Sequence, residues 1–182
     1  MKRLLSLVIA LLLALSAVSF ALAEEKTLKT PYYTITLPDG WDYDTSEAEA
    51  FDEDSEFLGS FTNKQDVILT VESYLIRYAE MADISLAEFS AEDLQDYADV
   101  MLEDFSDSQP VALGIVTAGS IPFVLIKAAD EQGEYVYADT LLKGLNFQFV
   151  AYAQDAAESV QPITDEQVEA IKTILATFMP EA

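Results

Sequence analysis

The chain predicts an α/β fold: an α/β/α sandwich with a central antiparallel sheet of six or seven strands and helices on both faces. Three observations predict it. Segments of strand-like alternation separated by Gly and Asp turns outnumber the helical stretches. Two segments carry a cap residue followed by apolar positions at 3, 4 spacing. Several strand segments, 67–76 most clearly, are apolar on both sides, which calls for cover above and below the sheet.

Lys2 and Arg3, the apolar run 4–15 and Ala21-Leu22-Ala23 have the order of a secretory signal peptide, removed after residue 23. The competing reading is an uncleaved anchor, because 4–23 is long enough to span a bilayer. No cysteine follows the run, so a lipid-anchored form is excluded. Cleavage leaves a short tether, 24–30, and one domain, 31–182, that is secreted or extracytoplasmic and has no stable membrane anchor.

Within the domain, 32–37 alternates and is closed by the turn Pro38-Asp39-Gly40. Segments 57–62 and 67–76 flank a hairpin loop at 63–66. A short helical turn is expected at 85–89, with Ser85 and Glu88 as a capping box. Ser90 caps the first long helix with Asp93 three residues on, and Leu94, Tyr97, Ala98, Met101, Leu102 and Phe105 form its apolar stripe. A meander follows at 111–118, 121–129, 134–142 and 145–154. A final helix starts at Thr164, has Gln167 completing its box, and stops before Pro180.

The composition removes whole chemistries. Among 182 residues there are 33 acidic and 9 basic side chains, no histidine and no cysteine. A Ser-His-Asp triad, a thiol nucleophile, a Cys/His zinc site and a disulfide framework are therefore excluded. A formal charge of -24 argues against nucleic acid as a partner, since that affinity comes mostly from Lys and Arg.

Leu37-Pro38-Asp39-Gly40-Trp41 at the end of the opening strand, then a hairpin, a long helix, an antiparallel meander and a closing helix, resemble the PsbP-like superfamily. That group includes the photosystem extrinsic subunit PsbP, a Ran-release factor and DcrB-type bacterial envelope proteins. The resemblance implies an antiparallel sheet between helices and a non-catalytic, accessory or binding role. It carries over no functional residue.

Two regions are candidate sites. Eight carboxylates crowd 42–56, and Asp52, Asp54 and Glu56 alternate there as candidate ligands for a divalent cation, calcium by the chemistry of the donors. In the meander, pairing Ala118 with Ile121, Asp130 with Glu134 and Leu142 with Leu145 sorts side chains onto two faces. One face carries Val124, Ile126, Val136, Ala138, Phe147 and Phe149 and is expected to be core. The other carries Phe123, Leu125, Lys127, Tyr137, Asp139, Asn146 and Gln148, with Gly114, Leu125, Asp139 and Gln148 in one row and Ala112, Lys127, Tyr137 and Val150 in the next. Gly114, Lys127, Tyr137, Asp139, Asn146 and Gln148 are the expected ligand-binding residues, because an apolar floor with a few convergent polar groups suits a small molecule or peptide. The bland alternative is a Lys127–Asp139 ion pair at a wet rim.

The expected function is a secreted, non-catalytic binding or accessory protein without a cofactor, whose partner is an envelope component, a peptide or another protein. The alternatives are a calcium-responsive protein using 42–56 and a carboxylate-dependent hydrolase of envelope glycans.

Overall fold

A computed structural model describes residues 26–181 apart from 64 and 66; the expected signal peptide lies outside the described residues. The elements in chain order are β1 (Lys26–Lys29), β2 (Tyr33–Leu37), β3 (Trp41–Asp44), β4 (Glu49–Ala50), β5 (Ser55–Asn63), β6 (Ile68–Arg77), helix α1 (Ala91–Asp104), β7 (Val111–Ala118), β8 (Ile121–Ala129), β9 (Glu134–Leu142), β10 (Leu145–Gln154), β11 (Val160–Gln161), helix α2 (Asp165–Leu175) and β12 (Met179–Pro180). The fold is mixed α/β and mostly antiparallel sheet. The large sheet follows the path β3-β5-β6-β10-β9-β8-β7, with the two-residue strands β4 and β11 attached to β5 and β10. It joins the early hairpin to the late meander through ten antiparallel residue pairs between β6 and β10.

A second, three-stranded sheet, β1-β2-β12, was not expected. Lys26–Lys29 falls in the stretch expected to be a tether, yet it pairs with β2 from Lys26↔Leu37 to Lys29↔Thr34. Its only apolar residue, Leu28, is 1% exposed. One buried leucine per strand is too little periodicity to see in a sequence, and it anchors this strand in the core.

Both long helices start where their capping boxes place them. Ser90 Oγ accepts from the Asp93 N–H while the Asp93 carboxylate accepts from the Ser90 N–H, and Thr164 and Gln167 repeat the arrangement. The 85–89 segment forms a single 3₁₀ turn at Leu86–Glu88, but Ser85 makes no side-chain cap.

The main core gathers Phe147 and Phe149 of β10, Phe123 and Leu125 of β8, Tyr33 and Ile35 of β2, and Ile171, Ile174 and Leu175 of α2. Tyr33 is an aromatic hub, with ring centroids 6.0 Å from Phe147, 5.8 Å from Phe149 and 5.1 Å from Phe178. Its hydroxyl donates to Ser73 Oγ at 2.8 Å, which keeps the buried phenol satisfied. Trp41 closes one end of this core against Phe61. A smaller cluster packs Ala98 and Met101 of α1 on Val124 and Ile126 of β8, with Tyr97, Leu102, Phe105 and Tyr137 around them.

Candidate functional site

Two of the three expected hairpin registers hold. Ala118 faces Ile121 and Leu142 faces Leu145. The β8–β9 hairpin differs by one residue: Ala129, not Asp130, pairs with Glu134. Asp130 leaves the strand because its carboxylate accepts from the N–H groups of Gln132 at 2.7 Å and Gly133 at 3.2 Å, while its own N–H donates to the Gly133 carbonyl. The loop thus has four residues, and the slip exchanges the faces of β8 relative to β9.

The consequences are specific. Leu125 pairs with Ala138 and Val124 with Asp139, so the expected row Gly114, Leu125, Asp139, Gln148 does not exist. Phe123 and Leu125, expected on the mixed face, are fully buried beside Phe147 and Phe149; Val124 and Ile126, expected beside those phenylalanines, lie under α1 instead. Lys127 is opposite Val136 rather than Tyr137, and its ammonium lies 3.7 Å from the Glu134 carboxylate rather than pairing with Asp139. A bulge between Ala112 and Gly114 also places Val111, not Ala112, opposite Lys127. Gly114 takes φ +93° in that bulge with nothing within 4 Å of an added Cβ, so glycine serves the backbone there and not a ligand.

Tyr137, Asp139, Asn146 and Gln148 do come together. β9 and β10 pair Asp139 with Gln148 and Tyr137 with Val150, on the side that packs under α1. Tyr97 of α1 donates its hydroxyl to Asp139 Oδ2 at 2.8 Å, and Asn146 Nδ2 donates to the same oxygen at 3.1 Å. Gln148 Nε2 donates to Asn146 Oδ1 at 2.6 Å, which fixes the orientation of the Asn146 amide. Asp139 is 5% exposed, and its other oxygen, Oδ1, has no hydrogen-bond partner among the described residues. A buried polar atom without a protein partner is uncommon in a folded chain, and leaving such a group unpaired is costly.

Burial pushes the Asp139 carboxyl up to about 6, against the hydrogen bonds from Asn146 and Tyr97, which pull the other way. Burial also raises the Tyr97 and Tyr137 hydroxyls, with the Asp139 charge adding to it. These groups line a chamber of about 180 Å³ together with Tyr78, Val100, Met101, Asp104 and Phe105. Phe105 packs on Tyr137 with ring centroids 4.9 Å apart. Tyr97 and Phe105 were legible only as members of the α1 stripe. A tyrosine on an otherwise apolar stripe was the one signal that this helix brings a polar tip to the sheet.

The acidic segment is organised by its own backbone. Asp52 Oδ1 accepts from the N–H groups of Asp54 and Ser55 and from the Ser55 hydroxyl, while Glu56 is paired with Arg77. Among the described residues no group of three or more His, Cys, Asp or Glu side chains converges. Larger depressions lie elsewhere, about 530 Å³ beside Trp41 and Gln167 and about 300 Å³ beside Glu72 and Tyr152. The small chamber is the better candidate, because among the described residues the two buried side-chain atoms without a partner are Asp139 Oδ1 and the core Thr140 Oγ1, and only Asp139 lines a cavity of this kind.

No protein-family model matches the chain, and no curated protein matches it.

Proposed function

We propose that this is an extracytoplasmic binding protein that holds a small ligand, or one residue of an envelope component or peptide, in the chamber under α1 without transforming it. The observation that carries the reading is Asp139, a buried carboxylate that lines a cavity together with tyrosines and amides and whose Oδ1 has no hydrogen-bond partner among the described residues. Polar groups in sites of this kind fix orientation, and apolar rings supply contact area. The tyrosine hydroxyls are held protonated by burial, which suits donors and not nucleophiles. The same reading keeps the large sheet between α1 and α2, as in the PsbP-like superfamily. Its support is strand alternation in β8, where Val124 and Ile126 pack with α1 and Phe123 and Leu125 share a cluster with α2.

A hydrolase is the second reading, and Asp139 favours it to the extent that a raised carboxyl is what a general acid needs. A thermal-shift screen against amines, peptides and wall fragments, paired with product analysis, separates the two. Binding predicts stabilisation of about 2.7 kcal/mol at a hundredfold excess over Kd, with the ligand recovered intact. Turnover abolished by Asp139→Asn would replace the binding reading with the enzymatic one, and a screen without any Asp139-dependent response would remove both.

A further inference from the structure

The ligand class follows from which charges surround Asp139, and this step rests on the binding reading above. Tyr78, Tyr97, Asp104 and Tyr137 are the titratable groups that share the chamber with Asp139, and among the described residues no lysine or arginine lines it. Elsewhere the chain does place cations beside half-buried carboxylates: Arg77 serves Glu56, and Lys127 serves Glu134. Asp139 is more buried than either, and among the described residues its side-chain donors are neutral and both directed at Oδ2. A buried carboxylate without a counter-ion is costly, and an incoming cation relieves that cost. An anionic ligand would meet Asp104 and Asp139 with nothing to offset them.

We propose that the chamber seats an ammonium group, with Asp139 as its counter-ion and the rings of Tyr97, Tyr137 and Phe105 as its walls. Aromatic faces attract cations through their quadrupole, so the rings and the carboxylate act in the same direction. The volume of about 180 Å³ is below the usual range for drug-sized ligands, so it accommodates an amine head group rather than a large molecule. The formal charge of -24 draws cations toward the surface and raises their local concentration.

The probes are methylammonium, cadaverine and a short peptide with one internal lysine, titrated into the protein at pH 7.5 and followed by NMR and thermal shift. Saturable binding of at least one probe is expected, with changes centred on the amides of Asp139, Asn146 and Gln148. Cadaverine bound more tightly than the peptide identifies a free amine as the source, and the reverse order identifies a lysyl side chain; either result supports the proposal. Asp139→Asn should weaken binding at least tenfold. Lowering the pH to 5 should weaken it about tenfold, because only about a tenth of the carboxyl remains ionised with its titration near 6. Should the variant not fold, the location of the shifts in the unaltered protein decides. Shifts confined to residues outside the chamber, or no saturation by any amine, overturn the ammonium assignment. If neutral wall fragments then gave an Asp139-dependent shift, the binding reading would stand without it; if they did not, both would fall.

Discussion

The cluster around Phe149 and the site around Tyr137 draw on the same three strands, β8, β9 and β10, yet they solve burial differently. Around Phe149 the side chains are almost all apolar, the buried Tyr33 hydroxyl is satisfied through Ser73, and the rings meet edge to face. The one orphan there among the described residues is the neutral hydroxyl of Thr140. Around Tyr137 the helix supplies two alanine- and methionine-sized contacts and half-buried rings, and the sheet supplies Asp139, Asn146 and Gln148. The first cluster is packed for stability. The second accepts an unsatisfied carboxylate oxygen, which costs more than an unsatisfied hydroxyl, and such a cost beside a cavity marks a candidate for function.

This contrast breaks first at Phe149. Phe149→Ala should lose about 3–5 kcal/mol, whereas Phe105→Ala, at a half-buried site, should lose clearly less; urea unfolding midpoints compare them. Equal losses would mean that the α1 cluster is as tightly packed as the main core.

Asp139→Asn comes next, and its sign depends on pH. The folded chain holds the Asp139 proton more tightly than the unfolded chain does, so the stability this group contributes is full below its ordinary value of 3.8 and is lost as pH rises through about 6. The ionised carboxylate therefore destabilises the unliganded fold at pH 8, by about 3 kcal/mol at most, since each tenfold gain in proton affinity on folding corresponds to about 1.4 kcal/mol. The asparagine variant should melt higher than the parent at pH 8, and the difference should shrink toward pH 4. A difference that does not change with pH would show that Asp139 is not the titrating group.

Ser90→Ala and Thr164→Ala each remove a capping box and should cost about 1 kcal/mol. They sharpen the comparison because the first loosens the helix that carries Tyr97, while the second acts on the helix of the main core. Only Ser90→Ala should also alter the amide shifts of Asp139. The smallest effect is expected for Lys127→Ala. Its ion pair with Glu134 is about one-third exposed on each side and is worth roughly 0.2–1 kcal/mol, and its loss should leave any response at the chamber unchanged.

Much of the fold was legible one element at a time. The four meander strands have the bounds their alternation predicts, and both helices begin at the Ser90 and Thr164 boxes. β1 was not legible, because Leu28 alone signals it. Four of the six expected site residues came together for a clear reason. Tyr137, Asp139, Asn146 and Gln148 sit on β9 and β10, whose tight Lys143-Gly144 turn sets their register, with φ +51° at Lys143 and +78° at Gly144. Gly114 and Lys127 were lost because they sit on β7 and β8, beyond the one hairpin whose loop length was ambiguous.

By itself the sequence determined which chemistries are absent, where the long elements start and stop, and which side chains share a face within each strand. These are local matters of residue type, capping and a period of two. The tertiary structure decided which faces of different strands align and what covers them. Whether Asp130 continues a strand or closes a loop is not set by alternation alone, and the choice moves every side chain of β8 to the other side relative to β9. Only the assembled sheet, with α1 laid across it, turned Asp139 from one acid among 33 into a buried carboxylate with an oxygen that has no partner among the described residues.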